Sequence, residues 1–142
     1  MTRARLGASI ALGLVAALAA LAMVAAAVQG ASEPVTVRIS VHYSHFEPSL
    51  VSVPAGRPVT FILDNTDPID HEWIVGDAAV QERHRTGTEP YHASRPTEVS
   101  LDAGTTKTTT VTFAQPGTLT FVCHMPGHEA YGMVGTLVVT TH

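Results

Sequence analysis

Cys123, His128 and Met133 bring a thiol, an imidazole and a thioether onto one short stretch, spaced C-x4-H-x4-M. The stretch reads Cys123-His124-Met125-Pro126-Gly127-His128-Glu129-Ala130-Tyr131-Gly132-Met133, and outside Met1 and Met23 it holds every sulfur atom of the chain. A second imidazole, His71, lies 52 residues before Cys123, after the turn-rich Asp64-Asn65-Thr66-Asp67-Pro68. Thiolate and thioether favour Cu(I), and imidazole accommodates Cu(II). Two imidazoles, one thiolate and a weak thioether therefore form a copper set suited to one-electron cycling. The lone cysteine has two blander readings, a buried inert thiol or a bond between chains. His and Met at these spacings, with His71 upstream, favour a metal-held thiolate. His124 is a second imidazole beside the thiol. Neighbours on an extended chain point to opposite sides, which places it away from the metal.

Such a set needs elements that hold it before metal arrives. Val35 to Val41 alternates apolar and polar at period two, the mark of a half-buried strand, and Leu50 to Val53 repeats this briefly. Val59 to Leu63, His71 to Val75, Glu98 to Leu101, Thr106 to Phe113, Thr118 to Cys123 and Gly135 to Thr140 read as further strands. Pro54-Ala55-Gly56-Arg57, Ala103-Gly104 and Pro116-Gly117 supply turns. The threonines between Thr105 and Thr110 suit an exposed β face. Gly76 to Pro96 is polar without a clear period and reads as a long excursion. About eight short strands and no helix after the leader predict an all-β sandwich or barrel, with Trp73 and Phe121 in its core.

The stretch FVCHMPGHEAYGMVGTLVV resembles the ligand loop and last strand of the cupredoxins, the plastocyanin and azurin family. FEPSLVSVPAGRPVTFILDN followed by DHEWIV resembles their earlier strands and first histidine ligand. The resemblance spans most of Val35 to Thr140. It implies a Greek-key β-sandwich, a mononuclear type 1 copper site with ligands His71, Cys123, His128 and Met133, and outer-sphere electron transfer. It also implies that the His128 ring edge is the electron port. Plastocyanins space the loop C-x2-H-x4-M and azurins C-x4-H-x3-M; the spacing here is similar to rusticyanin-like members. Many relatives follow the first histidine with Asn, which ties the two ligand segments together. This chain has Glu72 there, so the resemblance does not supply that tie.

The remaining histidines carry less. His42 and His45 flank Tyr43-Ser44, and on one extended strand they would face opposite sides. His84 and His92 sit in the long polar excursion, where a second surface copper or zinc site competes with a solvated loop.

The chain has 142 residues, 45% apolar but only 6% aromatic, because Leu6 to Val28 is almost entirely small and aliphatic. Arg3 and Arg5 precede that run and Ala25-Ala26-Ala27 offers a cleavage site, so residues 1–28 read as an export signal or an uncleaved membrane anchor. As a helix the run reaches about 34 Å, enough to cross the hydrocarbon core. Residues 29–34 read as a linker and 35–142 as one copper-binding domain. The expected location is beyond the plasma membrane: periplasmic, at the cell surface or secreted. The net charge of −4 with few basic residues excludes a nucleic-acid groove. A single cysteine excludes a disulfide framework, a multi-thiolate zinc site and a dicopper centre needing two thiolates. No His-x-His pair of the kind used by copper oxidases occurs. The expectation is a monomeric electron carrier, not an enzyme, exchanging electrons with redox partner proteins. The alternative is a protein for copper delivery, storage or resistance.

Overall fold

The computed structural model describes residues 34–87 and 95–141. The leader, most of the linker and His92 lie outside the described residues. Nine strands are formed there: β1 (Val35–His42), β2 (His45–Glu47), β3 (Leu50–Pro54), β4 (Pro58–Asn65), β5 (His71–Gly76), β6 (Glu98–Leu101), β7 (Thr106–Thr112), β8 (Gly117–Val122) and β9 (Val134–Thr140). They make two sheets, ordered β2-β1-β4-β7 and β3-β9-β8-β5-β6. The pairs β1–β4 and β3–β9 are parallel, and the other pairs are antiparallel. The fold is the all-β sandwich expected.

Period-two patterning decides which face is buried. On β4, Val59, Phe61 and Leu63 point inward, while the exposed threonines of β7 (Thr106, Thr108, Thr110, Thr112) alternate with half-buried neighbours. Trp73 and Phe121 are fully buried, and Phe61 packs on Trp73 with ring centroids 4.8 Å apart. Gly135 is needed because a side-chain carbon there would run into the Phe121 ring.

Three local features depart from the sequence reading. The excursion after Gly76 begins with a helix, α1 (Ala78–Thr86), where none was expected. Asp77 caps it, its carboxylate accepting the N–H of Val80 at 2.9 Å, and Arg83, His84 and Arg85 occupy its last turn. Its one fully buried residue is the polar Gln81, so there was no apolar stripe to read. The second departure is β2. Tyr43 and Ser44 are not strand residues but a two-residue turn with φ of 50° and 57°, and His42 pairs directly with His45 across it. The two histidines are therefore cross-strand neighbours on the same side, not opposed. The third is a four-residue helix, α2 (His128–Tyr131), inside the ligand loop.

Candidate metal centre

Three of the predicted donors meet. The Nδ1 atoms of His71 and His128 lie 3.2 Å apart, and Cys123 Sγ is 3.3 Å from His128 Nδ1 and 4.0 Å from His71 Nδ1. Donors each about 2.0–2.3 Å from one central ion stand roughly 3.5–3.8 Å from one another, so the triangle fits a single first-row metal ion. Among the described residues this is the one group of His, Cys, Asp and Glu donors gathered closely enough to hold a metal.

Each donor is placed by its element. His71 opens β5, opposite Leu101 of β6, and is buried. Cys123 follows β8 directly and is fully buried. The β8–β9 ladder runs to Val122–Val134, and one more bond, Cys123 N–H to Met133 C=O at 3.2 Å, closes the neck of the ligand loop. Within the loop, Met133 N–H donates to His128 C=O and His128 N–H to Met125 C=O. Gly127 and Gly132 take φ of 85° and 105° at the two ends of α2, a region that disfavours side chains. Those turns fold His128 back over Cys123 and leave its ring half-buried. Met133 is fully buried in the core that also contains Cys123.

The electrostatics suit a metal site. Burial pushes the Cys123 thiol up to about 11, although backbone N–H groups of Met125 and Glu72 hydrogen-bond its sulfur and pull the other way. Metal must therefore displace a proton to bind there. Burial also lowers His71, outweighing its opposing hydrogen bond to Asp67 and favouring the neutral ring. Asp67 Oδ2 lies 3.0 Å from His71 Nε2. The carboxylate is held below its usual range: burial raises it, but hydrogen bonds from Ser44, Tyr43 and His71 outweigh that.

His124 stays away from the donor triangle. Its ring stacks on His84 with centroids 5.7 Å apart, and its Nε2 lies 2.7 Å from Gln81 Oε1. The Gln81 amide donates to the carbonyls of Ile74 and Thr120, which leaves its oxygen to accept from His124. Arg85 of α1 grips Glu129 of the loop through Nε and Nη2 at 2.7–3.0 Å. Helix α1 is thus a brace against the ligand loop. His84 Nδ1 donates to Val80 C=O, and its Nε2 lies 3.5 Å from Glu98. Carboxylates of Glu98 and Glu129 approach His84 and His124, yet among the described residues these side chains do not converge as a metal-holding group.

Two supporting residues were not legible as such. Glu72 accepts the N–H of His124 at 2.8 Å, supplying the tie between ligand segments that the resemblance could not. In the sequence Asp67 stands only as part of a turn-rich run.

A two-sheet sandwich with a His-Cys-His cluster at one end of the β5 and β8 strands is the architecture of a cupredoxin. The cupredoxin-like domain family matches residues 13–139, and the chain belongs to that family. The cofactor that the family and the donor cluster together specify is a single copper ion. Among curated proteins, the copper-resistant cuproprotein CopI of Rubrivivax gelatinosus is 33% identical over 109 residues, covering 73% of this chain and 66% of its own length. The chain thus spans slightly under two thirds of that relative. The copper-resistant cuproprotein CopI of Pseudomonas aeruginosa is 27% identical, covering 78% of this chain and 79% of its own. Among solved structures, auracyanin B, known from Chloroflexus aurantiacus, superposes with a TM-score of 0.63 at 26% identity, covering 76% of this chain and 89% of its own.

Among the described residues no helix is long and apolar enough to cross a membrane. The apolar run of residues 6–28 falls outside them.

Proposed function

We propose that this chain is an exported type 1 copper protein that carries single electrons between redox partner proteins and is not an enzyme. The observation that carries the reading is the donor triangle itself, three donor atoms all within 4.8 Å of one another on a β scaffold. His71 and His128 would hold the copper through imidazole, Cys123 through a strong thiolate bond and Met133 through a weak thioether. Copper so held supplies a one-electron Cu(II)/Cu(I) couple, tuned by the axial ligand and the hydrogen bonds to sulfur. The chain's own residues do the rest. The N–H groups of Met125 and Glu72 moderate the charge on the thiolate. Buried Cys123 and His71 exclude water, and the half-buried His128 ring offers a short route outward. The leader supports a location beyond the plasma membrane, tethered if it is uncleaved.

A second reading has specific support: two relatives are named as copper-resistant cuproproteins. In that reading the same site takes up copper as part of tolerance to the metal.

The test is a visible spectrum of the Cu(II)-loaded protein before and after ascorbate, repeated with a Cu(I) chelator present. An intense thiolate-to-copper band that bleaches, returns on oxidation and survives the chelator supports the carrier. Copper surrendered to the chelator on reduction favours copper handling. Copper bound with no such band, or a band that survives Cys123→Ser, overturns the type 1 assignment.

A further inference from the structure

We infer that Asp67 is a positioning residue for the copper site, its carboxylate fixing the His71 ring so that Nδ1 faces Cys123 and His128. The inference rests on the copper reading above and deepens it. Asp67 is buried, and a carboxylate can only accept hydrogen bonds. Its Oδ2 receives Ser44 N–H at 2.7 Å and lies 3.0 Å from His71 Nε2, while Oδ1 receives Tyr43 N–H at 2.7 Å. The proton on His71 must therefore sit on Nε2. That leaves Nδ1 bare, and Nδ1 is the atom in the donor triangle.

The Asp67 backbone is pinned as well. Its N–H donates to Asn65 Oδ1 at 3.1 Å, and its C=O accepts Gly104 N–H at 3.1 Å. The Asn65 amide in turn donates to the carbonyls of Ile69, Leu101 and Asp102. The carboxylate is thus aimed from both sides. Across from it, Tyr43 and Ser44 both adopt left-handed backbone, the region where Asn and Gly are the usual residues. Such a turn persists where its surroundings over-determine it, and two N–H groups converging on one carboxylate do so. Strand β1, the turn and the β4–β5 connection therefore meet on a single side chain, and its Oδ2, shared with Ser44 N–H, also holds a metal-ligand ring.

The consequence is electronic as well as geometric. An anionic acceptor on Nε2–H makes the imidazole a stronger donor, which favours Cu(II) over Cu(I) and lowers the potential. Losing the charge should weaken Cu(II) relative to Cu(I) by roughly tenfold, a rise of about 59 mV.

The test uses the full chain. Long-range proton–nitrogen NMR on the metal-free protein reads the His71 tautomer directly, and the Nε2–H form is expected. Because Asp67→Asn could also loosen the turn, it is made both alone and with Tyr43→Asn and Ser44→Gly, which form such a turn without help. In that turn-stabilised background Asp67→Asn should still raise the copper potential and abolish the tautomer preference, and Asp67→Glu should restore part of both. A blue wild-type protein whose potential and tautomer are unmoved by Asp67→Asn would overturn the inference and leave the copper reading standing. Should the wild type lack the thiolate band, the copper reading fails, and the metal-free tautomer measurement still decides the positioning role.

Discussion

The Glu72 carboxylate accepts the backbone N–H of His124 at 2.8 Å, fastening the strand that begins with one metal donor to the loop that begins with another. Nothing else about the residue pair is local, since 52 positions separate them. Glu72→Gln keeps an acceptor oxygen and should be nearly neutral. Glu72→Ala leaves the N–H without that acceptor and should cost about 1 kcal/mol, read by urea denaturation of the metal-free protein. Its copper-loaded form should lose metal to a chelator faster than Glu72→Gln does.

Met133 is fully buried in the core that also contains Cys123, so its packing and its proposed ligation can be separated. Met133→Leu conserves volume and should cost less than about 1.5 kcal/mol. It should keep the thiolate band and raise the potential, because Cu(I) tolerates the loss of a weak fourth donor better than Cu(II) does. A spectrum and a redox titration on the same sample check both. Loss of copper altogether would show the axial assignment to be wrong.

Gln81 is the buried pin of the brace, bonded to Ile74 C=O, Thr120 C=O and His124. Gln81→Leu keeps the bulk but strands these groups, and buried polar groups left unpaired cost about 1–3 kcal/mol each. A loss of roughly 2–4 kcal/mol in chemical denaturation is expected once the loop relaxes partly toward water.

Glu98 is buried beneath Arg95 and Arg83, at 2.7 Å and 3.1 Å. Burial raises its carboxyl, but the Arg95 hydrogen bond and the His84, Arg95 and Arg83 charges more than offset that and hold it below the usual range. A lowered folded-state pKa adds stability above the unfolded value of about 4.3 and loses it as pH falls through the folded one. Glu98→Gln should therefore be less stable near neutrality by about 1–3 kcal/mol. The gap to wild type should close below roughly pH 4 in a series of thermal melts.

What the sequence revealed follows from what each signal depends on. The clustered donors Cys123 and His128 were readable because rare side chains at fixed spacing leave few alternatives, and the strands because sheet burial imprints period two on residues such as Val59, Phe61 and Leu63. Helix α1 hid because its buried contact is a glutamine; Asp77 ahead of good helix formers and basic residues in the last turn were the signs available. The short strand β2 hid because Tyr-Ser is a poor signature for a left-handed turn, and only the distant Asp67 accounts for it. The supporting roles of Asp67 and Glu72 share that property. Glu72 meets a partner 52 residues away, and Asp67, though four residues from His71, is aimed by N–H groups of Tyr43 and Ser44 more than twenty residues away, so no local pattern records either arrangement.

The bond from Cys123 N–H to Met133 C=O, set on the last rung between Val122 and Val134, draws the ligand loop shut like a purse. Everything that differs in length between C-x4-H-x4-M and the shorter spacings of other family members lies above that drawstring. Residues could be gained or lost there without shifting a single rung of β8 or β9, or the inward face each strand presents to Trp73 and Phe121. The fold therefore leaves evolution a detachable cassette, in which the donor-bearing loop can be rewritten while the sandwich beneath stays untouched.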